Sequence, residues 1–246
     1  MVVNDYYDAK LGRDTSADRP LVTGDLSFPL VRRYLSYLYA AALICGALLP
    51  GAPARLAVMV SLMLTYFYTN NLKPLTWVKN VVCAFLVAFA PLTSGSAALH
   101  LASASSTTLT MSWWRMGPVW RLVAMLFFGI LGREMTMDCN DVENDRAVGV
   151  QTIPVVYGPA FASRVALACA GMAAGLALVG PLRDMTTVVV PRTVWARRLG
   201  LAATASAIQL TGAWRVWQTE GRDRNTVRWA VDAGAKTILL FLASYL

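Results

Sequence analysis

The sequence has few charged side chains for its length of 246 residues. Asp, Glu, Lys and Arg together make up 15% of it, and hydrophobic residues make up 57%. Soluble domains carry about 25% charged residues. A soluble globular protein of this length could not cover its surface with so little charge. Disordered chains and coiled coils are excluded on the same grounds, so the composition indicates a polytopic α-helical membrane protein.

Acidic residues are especially scarce, and most of them lie in two short segments. Of the 14 Asp and Glu residues, five lie between Asp5 and Asp25 and five between Glu134 and Asp145. No acidic residue occurs from Leu26 to Arg133. A membrane protein that concentrates its carboxylates in this way needs a functional reason for them.

The basic residues and the cysteines do not form recognisable sites. Lys and Arg are scattered at the ends of apolar runs, as the positive-inside rule expects, so the net charge of +8 does not indicate nucleic-acid binding. The four cysteines fit no zinc or disulfide spacing, and we interpret them as packing residues.

Seven segments are apolar enough to predict membrane-spanning helices. They are 33–50, 56–72, 80–101, 118–136, 160–182, 198–217 and 228–246. With this topology, 14 basic residues lie on one side of the membrane and seven on the other. The excess predicts that the first side faces the cytosol, or the stroma or matrix of an organelle. Both acidic segments fall on that side, so we expect them to meet.

The second acidic segment continues the apolar run 118–132 without a helix breaker. At 100° per residue, its carboxylates Glu134, Asp138, Asp141 and Asp145 share one helical face. Like charges at this spacing repel each other, and a divalent cation such as Mg²⁺ would neutralise them. The segment therefore predicts a Mg²⁺ site that can also bind phosphate.

In the first acidic segment, Asn4, Asp5 and Asp8 share a helical face, and Asp14 follows a glycine on the next loop. Two carboxylate clusters with basic residues nearby suit a magnesium–diphosphate substrate. Solvated helix ends and an ion or proton pathway are the alternatives. The concentration of ten acids on one side argues against the first, and the acid-free spans from Leu26 to Gly132 argue against the second.

Both segments resemble motifs of the UbiA-type intramembrane prenyltransferases. The first segment is similar to their first aspartate motif and the loop after it. It reads NDYYD from Asn4, followed by Asp14 and then by DRPLVTGDLS, which ends at Ser27. The second begins at Asp138 with DCNDVENDRAVGVQTIPVVYG and is similar to their second motif. The two motifs are about 130 residues apart with four predicted spans between them, and the resemblance covers essentially the whole chain.

The resemblance implies one all-α transmembrane domain over 1–246, with seven spans of a nine-helix bundle and without the family's first one to two helices. It implies transfer of an isoprenyl group from an allylic diphosphate to an acceptor, in the lipid bilayer and with Mg²⁺. The implied metal ligands are Asp5, Asp8, Asp14, Asp138, Asp141 and Asp145. Asn4, Arg19, Lys73 and Arg146 would bind the diphosphate. Asp8, Asp141, Asp145 and Tyr68 are the implied catalytic residues.

The two motifs point to different acceptors. The first motif has Gly12 where many members have an aspartate, and this variant resembles the naphthoate prenyltransferases of quinone synthesis. The other motif is more similar to the lipid-prenylating and chlorophyll-synthase branches. An aromatic acceptor (of quinone, tocopherol or chlorophyll type) and a lipid acceptor therefore both stay open. A membrane terpene cyclase of the same fold, which needs no acceptor, and an inactive truncated fragment are the alternative functions.

Overall fold

The computed structural model describes residues 2–12, 19–68, 72, 75–104, 116–187 and 191–245. Within these ranges the regular structure is helical and no strand is present, which confirms the predicted all-α fold. Two of the residues singled out above, Asp14 and Lys73, lie outside the described ranges.

Eleven helices occur in the described ranges. They are α1 (Val2–Lys10), α2 (Pro20–Thr23), α3 (Phe28–Ala47), α4 (Ala52–Phe67), α5 (Thr76–Ala88), α6 (Ala90–Ala104), α7 (Gly117–Ala147), α8 (Ile153–Tyr157), α9 (Pro159–Thr187), α10 (Arg192–Gln218) and α11 (Arg224–Tyr245).

Each predicted span is largely helical, but the bounds differ. The helix α3 begins five residues before the predicted span, because Pro29 occupies its first turn, where the missing N–H is not needed. The predicted span 80–101 is divided at Phe89 into α5 and α6. Among the described residues, Thr76–Ala102 and Pro159–Arg183 are the two stretches long and apolar enough to cross a bilayer, and Ala52–Phe67 is a shorter apolar helix.

The chain divides into two compact units, 1–73 with 93–111, and 74–92 with 112–246. In the first unit, α1 packs against α3 through the buried side chains of Tyr6, Val31 and Leu35. The Tyr6 ring also meets Phe28 edge to face, with 5.8 Å between the ring centroids. These contacts hold the short helix α1, which carries the first acidic segment.

The second unit is built mainly on α7 and α9. The buried face of α9 consists of small residues, and alanine recurs on it every three or four positions: Ala162, Ala166, Ala170, Ala173 and Ala177. Small side chains let helix backbones approach closely, which is how helices associate where lipid removes the hydrophobic driving force. This packing fixes α7, which carries the second acidic segment.

Candidate functional site

The second acidic segment is the last part of the 31-residue helix α7. Gly149 ends this helix in the left-handed conformation at φ 74°. The Val150 N–H then donates to the carbonyl of Asp145 at 2.8 Å, and the Gly149 N–H donates to Arg146 at 3.3 Å. This is the Schellman pattern of helix ends, and it favours glycine because a Cβ is disfavoured at positive φ. The motif therefore has a fixed backbone up to its last carboxylate.

Asp138 is the buried centre of the second motif, with 3% of the residue exposed. The Lys79 ammonium on α5 donates to its Oδ1 at 2.6 Å, and the Asn80 amide donates to its Oδ2 at 2.8 Å. Asn80 is itself fully buried. Both carboxylate oxygens are thus satisfied by α5, and a buried charge of this kind requires such pairing.

Lys79 also interacts electrostatically with Glu134 and Asp145, so one ammonium lies among three carboxylates. Burial raises the pKa of Asp145 to about 6, against the attraction of Lys79, and the nearby Asp138 charge adds to the increase. The Thr152 side chain lies close enough to oppose this increase in the pKa of Asp145. The buried Oδ2 atom of Asp145 nevertheless has no hydrogen bond of normal geometry among the described residues. This carboxylate is therefore under-neutralised and suited to a cation.

Asp141 has different surroundings from Asp138, although its charge acts on Asp145 from the same helical face. It is exposed, accepts a hydrogen bond from the Asn140 amide at 2.8 Å, and lines a recess of about 240 Å³. Arg228 and Asp232 of α11 line the same recess. The physical reason is that about 60° of helix rotation separates Asp138 from Asp141, which is enough to turn the two residues toward different helices.

In the first unit, α1 carries Asn4, Asp5 and Asp8 as predicted for a helix. Asp8 is 7% exposed and Asn4 is half-buried. Asp5 forms an ion pair with Arg19 at 3.6 Å, so the first acidic segment and its predicted basic neighbour are in contact.

The remaining predicted residues occupy helix ends. Tyr68 directly follows the last residue of α4, and Arg146 is exposed in the last turn of α7. Asp14 and Lys73 belong to the stretches outside the described ranges.

The donor set of the second motif is partly suited to Mg²⁺. The side chains in the described ranges contain no group of three or more His, Cys, Asp or Glu residues close enough to hold a metal ion. The second motif nevertheless offers the buried, unpartnered Asp145 Oδ2 atom and the carboxylates next to it. Hard oxygen donors of this kind fit Mg²⁺, which uses one or two carboxylates and completes its shell with water and phosphate.

Lys79 and Asn80 are the residues that sequence reasoning missed. From the sequence alone, Lys79 is a cation of the loop 73–79 and Asn80 is the first residue of a predicted span. A signal was present, since a Lys-Asn pair opens an apolar run on the same predicted side as the acidic segments. Nothing in the sequence alone shows that this pair packs against residue 138.

Comparison with known proteins decides the family. Residues 1–244 match the UbiA prenyltransferase family. The chain belongs to this family. It is 30% identical over 248 aligned positions to a digeranylgeranylglyceryl phosphate synthase of Methanopyrus kandleri, in an alignment covering 99% of this chain and 81% of the relative. A synthase of the same name from Ignicoccus hospitalis is 28% identical, with coverage of 84% of this chain and 66% of the relative.

Solved structures support the UbiA fold. A structure described for digeranylgeranylglyceryl phosphate synthase in membranes superposes with a TM-score of 0.68 at 19% identity, covering 99% of this chain and 78% of that one. A UbiA homologue from Archaeoglobus fulgidus bound to GPP and Mg²⁺ gives 0.62 at 17% identity, with coverage of 99% and 81%. These likenesses concern the fold.

UbiA membership confirms the predicted family, the helical membrane fold and the enzyme class, a transferase of prenyl groups. UbiA proteins are integral membrane proteins, which confirms the membrane location. The side of the membrane that the motifs face, and the roles of the individual residues, stay predictions.

Proposed function

We propose that this UbiA protein transfers an isoprenyl group from an allylic diphosphate to a lipid acceptor and that the reaction requires Mg²⁺. The observation that carries the proposal is the polar centre on α7, where Lys79 lies among Glu134, Asp138 and Asp145 at the end of an apolar helix. Ionisable groups at such a position in a membrane protein are costly and are retained for function.

In this proposal Asp145 and Asp141 are the carboxylates of the second motif that hold Mg²⁺. Asp145 has the buried oxygen without a hydrogen-bond partner among the described residues, and Asp141 is exposed one turn before it. Asp138 is already bound by Lys79 and Asn80, so it supports the site electrostatically and orients its neighbours. Bound Mg²⁺ would neutralise charge that develops on the leaving diphosphate.

The roles of the first motif are assigned from its resemblance to the family. By that resemblance Asn4, Asp5, Asp8 and Asp14 are assigned to binding a Mg²⁺–diphosphate. Arg19, Lys73 and Arg146 are assigned to the remaining phosphate charge, because cations placed where negative charge develops stabilise the transition state.

The reaction then depends on ionisation of the donor. As the bond between the allylic carbon and the diphosphate oxygen breaks, an allylic cation forms. Apolar helices exclude the water that would quench this cation, and a nucleophilic atom of the acceptor attacks it and loses its proton. Tyr68, at the end of α4, is assigned to orienting the acceptor.

A lipid acceptor is favoured by the relatives. Two of them are named digeranylgeranylglyceryl phosphate synthases, so they act on a glyceryl phosphate lipid. The second motif of this chain already resembles lipid-prenylating enzymes. The aromatic acceptors considered from the sequence find no such support among these relatives.

The acceptor is tested with purified protein in lipid nanodiscs and geranylgeranyl diphosphate as donor. Geranylgeranylglyceryl phosphate, 1,4-dihydroxy-2-naphthoate or no acceptor is added, with Mg²⁺ or with EDTA, and products are identified by mass spectrometry. We expect the doubly prenylated lipid to form from geranylgeranylglyceryl phosphate when Mg²⁺ is present and not when EDTA is present. A prenylated naphthoate would overturn the lipid assignment, a hydrocarbon formed without acceptor would indicate a cyclase, and no product would indicate an inactive chain.

A further inference from the structure

A recess in the first unit, separate from the acidic residues, has the chemistry of a site for an anionic amphiphile. Its volume is about 500 Å³, within the usual range of ligand sites. We call it the tyrosine recess. It is lined by residues of α1, α3 and α4: Val3, Tyr6, Tyr7, Lys10, Arg32, Leu35, Ser36, Tyr39 and Tyr66.

The cations of the tyrosine recess have no acidic partner in its lining. Lys10 and Arg32 contribute two positive charges. A neighbouring recess of about 480 Å³ shares Tyr6, Arg32 and Ser36 and adds Arg33, and it too is lined without a carboxylate. The helices α3 and α4 cannot supply one, since the sequence has no Asp or Glu from Leu26 to Arg133. Both cations are exposed, so their charges are accessible from the recess.

Of the two carboxylates of α1, one is in an ion pair and the other is buried. Asp5 is paired with Arg19 at 3.6 Å, and Asp8 is 7% exposed. Neither of them lines the tyrosine recess. Within the described part of the first unit, no carboxylate lines the recess beside Lys10 and Arg32, so an external anion could approach both of them.

The tyrosines give the recess a second property, an apolar wall with hydroxyl groups. Tyr7 meets Tyr66 edge to face, with 6.4 Å between the ring centroids. The Tyr39 hydroxyl is buried and has no hydrogen-bond partner among the described residues. The Ser36 hydroxyl donates to the Arg32 carbonyl at 3.1 Å. A buried hydroxyl without a partner is costly, and a phosphate oxygen would accept its hydrogen bond.

The recess also lies at the polar end of a predicted span. Arg32 and Arg33 stand in the first turns of α3, directly before the apolar part of that helix. Basic pockets between transmembrane helices on the cytoplasmic side bind anionic lipid head groups. Arginine is suited to this role because its guanidinium pairs with phosphate through two parallel hydrogen bonds.

We propose that the tyrosine recess binds the phosphate group of an anionic lipid. Arg32 and Lys10 pair with the phosphate, the Tyr39 hydroxyl donates a hydrogen bond to it, and the tyrosine rings contact the glycerol and the start of the chains. The lipid is either a bilayer phospholipid or the acceptor of the proposed reaction, since the two share this chemistry. Binding of a bilayer phospholipid is independent of prenyl transfer, and only the acceptor alternative rests on the proposed function.

The test is native mass spectrometry of the purified protein after delipidation and re-addition of one lipid. Phosphatidylglycerol, phosphatidylcholine and geranylgeranylglyceryl phosphate are the three probes. The variants are Tyr39→Phe and the double variant Lys10→Gln/Arg32→Gln. Arg55→Gln is the matched control, because Arg55 is an exposed cation of α4 that does not line either recess.

We expect phosphatidylglycerol to be retained in preference to phosphatidylcholine by the wild type and by Arg55→Gln. The double variant should lose about tenfold or more in retention, the effect of removing hydrogen bonds to a charged group, and Tyr39→Phe should lose less. Equal retention by all variants, or equal retention of the two phospholipids, would overturn the proposal.

The source of the lipid is distinguished by the two anionic probes. If the recess holds a bilayer lipid, the variants lose phosphatidylglycerol and keep the wild-type KM for the acceptor. If it holds the acceptor, geranylgeranylglyceryl phosphate displaces phosphatidylglycerol and the variants raise that KM. Thermal unfolding of each variant verifies that it is folded, and the retention measurement remains readable even if no prenyl transfer is found.

Discussion

The ammonium of Lys79 lies 2.6 Å from Asp138 Oδ1, and it joins α5 to α7 inside the second unit. The side chains of Lys79 and Asp138 are 14% and 4% exposed. The charge of this one lysine also acts on Glu134 and Asp145. Lys79 is therefore a counter-charge shared by three carboxylates of the acidic motif, and Arg133 adds to it by pairing with Glu134 at 3.4 Å.

Lys79→Met should strongly destabilise the protein. Removing one partner of a buried ion pair costs about 3–5 kcal/mol, because the other charge is left buried and uncompensated. Thermal unfolding in detergent, in the absence of Mg²⁺, measures the loss. Lys79→Arg keeps the charge and should lose less. If Lys79→Met unfolds at the wild-type temperature, the ion pair does not hold the motif.

Asp145→Asn should stabilise the metal-free protein at neutral pH. The folded-state pKa is raised to about 6 from 3.8, so this carboxyl favours the folded state below about pH 4 and loses that contribution as the pH rises through about 6. At about pH 8 the buried carboxylate is charged, and the uncharged amide avoids that cost. The gain in unfolding temperature should be larger at about pH 8 than at about pH 5.

The same pair of proteins provides an internal control for the Asp145 prediction. Addition of Mg²⁺ with a non-reactive diphosphate should raise the unfolding temperature of the wild type and have much less effect on Asp145→Asn. A gain from Asp145→Asn that is the same at both pH values would show that the charge of this carboxyl is not its cause.

Gly132→Ala should weaken the packing of α7 on α9. A Cβ at Gly132 would lie 3.1 Å from the Cβ of Cys169 and 3.2 Å from the carbonyl oxygen of Ala166. Forcing extra volume into such a contact costs about 1–3 kcal/mol. Gly171→Ala on α9 is the matched control, since its Cβ would have no neighbour within 4 Å. A decrease in unfolding temperature with Gly171→Ala as large as that with Gly132→Ala would contradict the close approach.

Much of the fold could be predicted from the sequence because long apolar runs have one main structural solution in a bilayer. Apolar runs long enough to cross a bilayer must become helices, since lipid offers no partner for backbone hydrogen bonds. The continuation of α7 through the acidic segment followed from the lack of a breaker between Gly132 and Ala147. Helix bounds were less accurate, as at Phe89, although the sequence carries a signal there. Pro91 is disfavoured inside a helix but accepted in the first turn of one, and it stands in the first turn of α6.

The site was predicted by residue type more than by arrangement. Periodicity placed four carboxylates on one face, but that face is about 60° wide, and helices on two sides share it. Asp138 is bound by Lys79 and Asn80, while Asp141 lines a recess with Arg228. Such partners depend on how helices far apart in the sequence pack together. These contacts cannot be predicted from a single sequence without aligned relatives.

The most direct test measures diphosphate release and formation of the prenylated lipid, with and without Mg²⁺. The variant Asp145→Asn is compared with the control variant Glu143→Gln. Glu143 is an exposed residue of the same helix end, and it is paired with Arg224. We expect Asp145→Asn to lower the rate by about a hundredfold or more, whereas Glu143→Gln should keep it within about twofold. Wild-type turnover by Asp145→Asn, or turnover that persists in EDTA, would contradict this prediction.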